Sequence, residues 1–388
     1  MGTARSESQI LLLPGPTPIP PRVLRAIGAP MINHRGPAFK AMLEEITGEL
    51  KEIFQTQNDV LILTCSGTGG MEAAVANTLS PGDKALVISI GAFGERFAKI
   101  CKAYGVQAEV LDYPWGTAAN PDDIARRLAE DQGHEIRAIL VQHNETSTGV
   151  LNDLEAISKA RGDHPALLIV DSVSGMVAAD IKTDAWGLDV VITGAQKAFM
   201  IPPGLAMVSV SSRAWERIEA CRNSRFYFDF KAYKEFYSIG QTPFTPAVAT
   251  IYGLYEALKM LKEEGLSKAQ ERHALYRAMV RAGVRALGLE LVASDAVASP
   301  AVTTVRAPSG ISPGTITRLM REKYNVVIAG GQGKLKDTTF RIGHLGYVQV
   351  TDLLAAIAAL ELVLEECGLT IERGAGVRAA QEVIAQSN

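Results

Sequence analysis

Short β-rich runs alternate with helical runs along the first two thirds of the chain. Strands are predicted at residues 60–65, 84–90, 107–112, 138–142, 166–171 and 190–193, with helices over 71–79, 95–104, 122–130 and 151–161. This alternation is typical of an α/β fold, in which helices cover both faces of a mainly parallel sheet. Ligands of such sheets bind at the carboxyl ends of the strands, so candidate functional residues are sought there.

The pattern changes after about residue 246. The remaining chain has two long amphipathic helices at 250–264 and 266–287, short strands at 290–292, 301–306, 326–329 and 339–342, and helices at 312–323 and 351–366. We therefore expect a smaller C-terminal α+β domain that shares a long helix with the first. The predicted division is an N-terminal arm over 1–20, a large domain over 21–250 and a small domain over 251–388.

Composition argues against several classes of protein. The 39 Lys and Arg residues against 42 Asp and Glu give a net charge of −3, without the general basic surface that binds nucleic acid. The four cysteines include no CxxC pair, and the six histidines show no metal-ligand spacing. No stretch reads as a membrane span or a secretory signal. We expect a cytoplasmic protein with no resident metal, no nucleic-acid partner and no membrane partner.

A glycine-rich segment, Ser66-Gly67-Thr68-Gly69-Gly70, lies between a predicted strand and a predicted helix. Glycines let the backbone approach an anion closely, and the first N–H groups of the helix would bind a phosphate. The segment is neither a Walker A loop nor the dinucleotide GxGxxG pattern. A plain tight turn is the alternative interpretation.

Two charged residues follow apolar strands. Asp171 comes directly after Leu168-Ile169-Val170, and Lys197 follows a second apolar run and precedes the apolar segment 198–204. Alone, the Asp could cap the next element and the Lys could be a solvated loop residue. A lysine in dry surroundings, however, has a lowered pKa and becomes an amine nucleophile.

Taken together, a phosphate-binding turn, a strand-end Asp and a strand-end Lys are the parts of a pyridoxal phosphate (PLP) site. The amine holds the cofactor aldehyde as a Schiff base, and the carboxylate pairs with the pyridine nitrogen so that the ring withdraws electrons.

An ordered set of motifs resembles one enzyme family. In chain order these are PGPTPIPPRV, SGTGGMEAAVANTLSPGDK, HNETSTGV, VDSVSG, WGLDVVITGAQKA, PPGLA, QTPFTP and FRIGHLG. The chain resembles the fold-type I, class V aminotransferases of the alanine/serine–glyoxylate (serine–pyruvate) group from about Leu12 to about Gly368. The resemblance implies a homodimer whose active site is shared between subunits.

The resemblance also implies the roles of individual residues. Lys197 and Asp171 match the catalytic pair. The other cofactor-binding positions are Thr68, Gly69, Gly70, Phe93, Thr146, Val173 and Gln196, together with Thr242 and Thr245, which a partner subunit would lend. The substrate-binding positions are Arg341, Gly15 and Thr146, and His34 and Arg35 lie near the site in relatives. Phe93 and Thr242 depart from the Trp and Tyr that are common in the family.

The activity implied is a ping-pong transamination from alanine or serine to glyoxylate or pyruvate. A guanidinium fork such as that of Arg341 holds a carboxylate with two hydrogen bonds, which a lysine cannot do. Transaminases of aspartate, ureidoglycine or aminoethylphosphonate share most of the motifs and remain alternatives.

Functions outside this group of transaminases have less support in the sequence. A cysteine desulfurase usually carries His before the lysine, whereas Gln196 stands there. An accessory subunit of a redox complex is a further alternative, without a cluster-binding set of cysteines to support it. A nicotinamide dehydrogenase would need GxGxxG.

Overall fold

Two β-sheets organise the protein, which a computed structural model describes over residues 9–387. The strands are β1 Ile10–Leu12, β2 Asp59–Leu63, β3 Lys84–Ser89, β4 Gln107–Asp112, β5 Ile136–Gln142, β6 Asn144–Glu145, β7 Val150–Leu151, β8 Leu167–Asp171, β9 Val190–Gly194, β10 Ala206–Val210, β11 Val302–Arg306, β12 Val326–Gly330 and β13 Thr339–Gly343. The helices are α1 Pro21–Ile27, α2 Pro37–Phe54, α3 Gly67–Thr78, α4 Ala92–Ala103, α5 Pro121–Glu130, α6 Leu154–Arg161, α7 Ser212–Ala220, α8 Phe230–Tyr237, α9 Val248–Glu264, α10 Leu266–Ala286, α11 Pro313–Tyr324, α12 Val350–Glu366 and α13 Ala375–Ser387. The first eight residues of the predicted N-terminal arm lie outside the described range.

The large sheet has the strand order β2-β10-β9-β8-β5-β3-β4. Its pairs are parallel except those of β10, which runs antiparallel to both β2 and β9. The predicted mainly parallel sheet is therefore confirmed. Strand β10 was not among the predicted strands.

Helices cover both faces of this sheet. Along β3, Leu86 and Ile88 pack in the same apolar cluster as Phe39 of α2, whereas Val87 packs in the opposite cluster with Phe97 of α4. This alternation follows the two-residue period of a strand. Buried on both sides, the strands are almost continuously apolar, as in other parallel sheets.

The smaller sheet has the order β1-β12-β13-β11, with β1 parallel to β12. It packs on an apolar cluster built largely from α10, α11 and α12. Helix α9 instead contacts α1 and α2, and Gly265, at a φ of +86°, separates it from α10. The predicted strand at 290–292 is wrong, because that segment makes only an isolated bridge from Leu291 to Val305. The domain boundary near residue 250 stays a prediction.

Adjacent strands bring the candidate residues to one edge of the large sheet. Strand β8 ends at Asp171, and its parallel neighbour β9 ends at Gly194, three residues before Lys197. Helix α3 begins at Gly67, so the glycine-rich segment forms the first helical turn and not a loop before it. Among the helices of the described range, none is long and apolar enough to cross a membrane.

Candidate active site

A cavity of about 210 Å³ lies at the carboxyl ends of β8 and β9. It is lined by Ser66, Gly67, Thr68, Met71, Phe93, Arg96, Asn144, Thr146, Asp171, Val173, Ser174, Gln196 and Lys197. The structure thus gathers seven of the predicted site residues from five separate segments of the chain: Thr68, Phe93, Thr146, Asp171, Val173, Gln196 and Lys197.

Lys197 is a buried amine. Burial lowers its pKa to about 8, and the positive charges of Arg341 and Arg96 act in the same direction, whereas Asp171 opposes them. Its Nζ donates a hydrogen bond to the carbonyl oxygen of Pro14 at 2.5 Å. With this pKa, a substantial fraction of the amine is neutral, and therefore nucleophilic, slightly above neutral pH.

Asp171 is the buried anion of the cavity. Burial raises its pKa to about 6, although the backbone N–H of Val173 donates to Oδ1 at 2.9 Å and the charges of Arg96 and Lys197 favour ionisation. A desolvated carboxylate of this kind is stabilised by a cation placed beside it. Asp171 can therefore hold a protonated ring nitrogen.

Arg96 links two predicted residues at the other end of the cavity. Its Nη1 donates to Oγ1 of Thr68 at 2.8 Å, and its guanidinium carbon lies 4.4 Å from the centre of the Phe93 ring. Sequence analysis missed Arg96. Its position three residues after Phe93 on α4 places the two side chains on one helix face, and that spacing could have identified it.

The glycines of the α3 turn allow close packing. A Cβ at Gly67 would lie 2.6 Å from Val173, and one at Gly70 would lie 2.7 Å from Ile192 of the sheet. The Gly70 N–H is bonded to the Ser66 carbonyl oxygen. A Cβ at Gly69 would meet Cys65, at 2.8 Å. Cofactor contacts of Gly69 and Gly70 stay predictions.

Arg341, on β13, lies beside the cavity and is hydrogen-bonded to Thr146 of its lining. Its Nε donates to the Gly330 carbonyl oxygen at 2.8 Å, and its Nη1 donates to the carbonyl oxygen of Thr146 at 3.3 Å and to Oε1 of Gln332 at 3.2 Å. Burial lowers its pKa, and the negative charge of Glu145 opposes that shift. A guanidinium beside the cavity wall can bind a carboxylate there.

Glu145 is a buried carboxylate that sequence analysis did not single out. Its Oε2 accepts from the N–H groups of Phe93 and Gly94 at the start of α4, and its Oε1 accepts from the N–H and the hydroxyl of Ser147. Burial raises its pKa to about 7. The residue stands inside the quoted motif HNETSTGV, and its burial is what that motif alone could not reveal.

Gly15 contacts the side chain of Lys197. It has a φ of +125°, and a Cβ at this position would lie 2.4 Å from Nζ of Lys197. A glycine is required here both by the backbone conformation and by the space.

The remaining predicted residues do not line this cavity in the single chain described. Arg35 is exposed and donates to the Thr242 carbonyl oxygen, and His34 is half-buried. Thr242 is buried with its hydroxyl donating to the Phe244 carbonyl oxygen, whereas Thr245 is exposed. Their roles in a neighbouring subunit's site stay predictions.

The donor and acceptor atoms of the cavity fit PLP. Asn144 Oδ1 and Gln196 Oε1 are buried without a hydrogen-bond partner, and buried polar atoms normally have one. Both atoms are acceptors, so a ligand that carries hydrogen-bond donors would supply their partners. The paired amine and carboxylate match the aldehyde and the ring nitrogen of PLP.

Comparison with known proteins decides the family. The model of the class-V aminotransferase family matches residues 10–342. The chain belongs to the class-V aminotransferases. Its predicted resemblance is confirmed, and so is the fold-type I α/β fold. PLP is the cofactor of this family.

This class-V aminotransferase has close relatives with different names. It is 46% identical over 382 residues to a "Soluble hydrogenase, small subunit" of Synechococcus sp., covering 97% of this chain and 99% of the other. It is 40% identical over 376 residues (96% and 95%) to the L-aspartate–glyoxylate aminotransferase of Paracoccus denitrificans. It is 37% identical over 375 residues (95% and 94%) to the serine–glyoxylate aminotransferase of Arabidopsis thaliana.

Solved structures of aminotransferases share the whole fold. The pyridoxamine–pyruvate aminotransferase of Mesorhizobium loti superposes with a TM-score of 0.94 at 32% identity, covering 100% of this chain and 99% of the other. The ureidoglycine–glyoxylate aminotransferase of Bacillus subtilis gives a TM-score of 0.92 at 31% identity, covering 98% and 99%.

Proposed function

We propose that this aminotransferase is PLP-dependent and moves the amino group of alanine or serine to glyoxylate or pyruvate. The observation that carries the proposal is the buried pair of Lys197 and Asp171 in one cavity, with Arg341 beside its wall. The relative that is named a serine–glyoxylate aminotransferase supports this choice of substrates.

Different cavity residues would bind different parts of the cofactor. When bound, PLP supplies an aldehyde that takes up the amino group and a ring that withdraws electrons. Asp171 would bind the protonated ring nitrogen, and Val173 and Phe93 would contact the ring. Thr68 and Gln196 would hold the phosphate, and Arg96 orients Thr68 through its 2.8 Å hydrogen bond.

Lys197 would act as the general base of the reaction. Its Nζ would hold the cofactor aldehyde in the resting enzyme and, when free, would take up the proton of the substrate Cα. A general base works best when its pKa lies near the working pH, and burial brings that of Lys197 to about 8. The positive charges of Arg341 and Arg96 contribute to that value.

Arg341 would hold the substrate carboxylate in both half-reactions, because the amino donor and the oxo acceptor both carry that group. Two of its nitrogen atoms are fixed by the Gly330 and Thr146 carbonyl oxygens, so the guanidinium is oriented before the substrate arrives. Such preorganisation lowers the entropic cost of binding.

We further propose that the enzyme is a homodimer with a shared active site. Phe226 is 80% exposed and Tyr227 39%, and both rings contact Phe244, so they form one exposed aromatic patch of the kind found at interfaces. Phe226 and Phe244 are in ring contact, which places this aromatic group near Thr245. The cytoplasmic location stays a prediction.

A matrix of amino donors and oxo acceptors, assayed with purified, cofactor-loaded enzyme, tests the proposal. Alanine or serine with glyoxylate or pyruvate should give the highest kcat/KM, ahead of aspartate, ureidoglycine and aminoethylphosphonate. A higher value for one of the latter would replace the proposed substrates.

Trapping with borohydride tests the lysine separately. Reduction of the wild type should fix the cofactor on the peptide that contains Lys197, and the Lys197→Ala variant should show neither trapping nor turnover. Labelling of another lysine would contradict the assignment. Trapping without turnover of any donor, together with a redox partner in a pulldown, would favour the accessory-subunit alternative.

A further inference from the structure

Gln332 lies next to the arginine that would bind the substrate carboxylate. It belongs to the turn Gly331–Lys334, which follows β12 and precedes β13, the strand of Arg341. Its Oε1 accepts a hydrogen bond from Nη1 of Arg341 at 3.2 Å. Gln332 is half-buried, whereas the next two residues of the turn are exposed.

The hydrogen bonds of Arg341 show which of its donor groups are free to bind a ligand. Nε donates to Gly330, and Nη1 donates to Thr146 and Gln332. Within residues 9–387, no group accepts from Nη2, and none pairs with Nε2 of Gln332. The unpaired donors of these two hydrogen-bonded side chains are therefore one guanidinium nitrogen and one neutral amide nitrogen.

The other cations near the cavity already have partners. The charged groups that shift the pKa of Lys197 are Asp171, Arg341 and Arg96. Arg96 is bonded to Thr68 and lies over the ring of Phe93. In the described chain, one guanidinium thus remains for one carboxylate.

The turn that carries Gln332 is anchored to the other sheet. Nζ of Lys334 lies 3.3 Å from a carboxylate oxygen of Asp112 at the end of β4 and 3.7 Å from one of Glu95 on α4. At Gly333, which has a φ of +55°, a Cβ would lie 2.5 Å from the Trp115 ring. These contacts restrain the backbone that directly follows Gln332.

We propose that Gln332 is a specificity-determining residue that restricts the amino donor to monocarboxylates. This inference rests on the proposed function. The amide orients Arg341 without neutralising it, so the guanidinium keeps its charge for the α-carboxylate. Because the amide itself is neutral, a second carboxylate, as in aspartate, that lies beside Gln332 meets no second cation from this residue and would lose its hydration uncompensated.

Binding of unreactive acids to the cofactor-loaded enzyme tests this directly. Propionate carries one carboxylate and succinate carries two, and calorimetry measures the dissociation constant of each without turnover. The wild type should bind propionate at least tenfold more tightly than succinate. In Gln332→Lys, which adds a cation, succinate affinity should rise at least tenfold relative to propionate.

Two further variants separate charge from hydrogen bonding. In Gln332→Glu, the new carboxylate pairs with Arg341 and competes with the ligand, so the dissociation constant of propionate should rise at least tenfold. Gln332→Met removes the hydrogen bond without adding charge and should weaken both acids by a similar factor. Asp337→Asn is the matched control: this residue is exposed in the segment between the turn and β13, its replacement changes the net charge as much as Gln332→Lys does, and both affinities should stay unchanged.

Activity should follow the same order. The ratio of kcat/KM for aspartate to that for alanine should rise at least tenfold in Gln332→Lys. Succinate binding as tight as propionate binding in the wild type, or an unchanged preference in Gln332→Lys, would overturn the inference while leaving transamination of alanine intact. If Arg341→Ala binds propionate as tightly as the wild type, the carboxylate site of the proposed function fails, and this inference fails with it.

Discussion

The ammonium of Lys197 donates its hydrogen bond to the backbone carbonyl oxygen of Pro14, 183 positions earlier in the chain. The N-terminal segment thus helps to enclose the amine of Lys197. Thr17 reinforces the contact, since its hydroxyl donates to the Lys197 carbonyl oxygen at 3.0 Å. We therefore expect changes in this segment to affect the chemistry of the lysine directly.

Gly15→Ala should disrupt the site. The added Cβ would lie 2.4 Å from Nζ, at a backbone conformation that alanine rarely adopts. We expect the covalent attachment of PLP to be lost or greatly slowed, as measured by borohydride trapping. Gly48→Ala, in a helix with nothing within 4 Å of the new Cβ, is the control and should trap the cofactor normally. Normal trapping in Gly15→Ala would show that the segment moves freely.

Lys197→Met should stabilise the cofactor-free protein at neutral pH. Burial lowers the folded-state pKa of Lys197 from 10.5 to about 8. Between those values the unfolded chain binds more protons, so this lysine makes stability rise with pH; below about 8 its full destabilising effect is present. Replacing it should add on the order of 2 kcal/mol at pH 7.

Urea unfolding at pH 7, 8.5 and 10 measures this effect. The advantage of Lys197→Met should shrink as the pH rises from 8 towards 10. Exposed Lys336, changed to Met, serves as the control and should give no such trend. A difference that grows with pH would have the wrong sign.

Asp171→Asn should retain part of its cofactor binding and lose most turnover. The neutral amide cannot pair with a protonated ring nitrogen, and loss of such an electrostatic partner costs about a hundredfold in kcat or more. Single-turnover kinetics with alanine would measure the loss. Asp163→Asn, an exposed change eight residues earlier, should leave kcat unaltered. A folded Asp171→Asn enzyme with normal kcat would refute the role.

Arg341→Ala should raise KM for alanine and for glyoxylate alike. Leaving a substrate carboxylate unpaired in a buried site costs about 2–5 kcal/mol. Arg341→Lys should restore little, because the two-pronged geometry is lost. Steady-state kinetics with each substrate varied checks this, and the absorption spectrum of the bound cofactor should stay normal. A lost spectrum would instead make Arg341 a structural residue.

Strand-end chemistry was predictable from the sequence. The apolar runs before Asp171 and Lys197 predict buried strands, and parallel neighbours end at the same edge of a sheet. The start of α3 was not predictable to the residue, because glycine is a poor helix former and the run at Gly67 was interpreted as a loop. In the structure those glycines are needed for packing against Val173 and the sheet.

Other site residues depend on tertiary contacts that no local pattern encodes. The carboxylate of Glu145 accepts hydrogen bonds from N–H groups of α4, which are some fifty positions away in the chain. Gln332 is notable only because β13 places Arg341 beside it. The three-residue spacing from Phe93 could have predicted Arg96. Its hydrogen bond to Thr68 could not be predicted in this way, because Thr68 belongs to another helix.

The pairing of β1 with β12 has a consequence for how the protein is made. Residues Ile10–Leu12 of β1 pair with Val326–Ile328 of β12. Pro14 and Gly15, which come shortly after β1, contact Lys197. During translation, β1 leaves the ribosome early. Its pairing partner β12 emerges only when most of the chain has been synthesised. The N-terminal segment can be fixed against Lys197 only after that late step, so a nascent chain stalled before residue 326 should have a complete large sheet and a solvent-exposed Lys197 side chain.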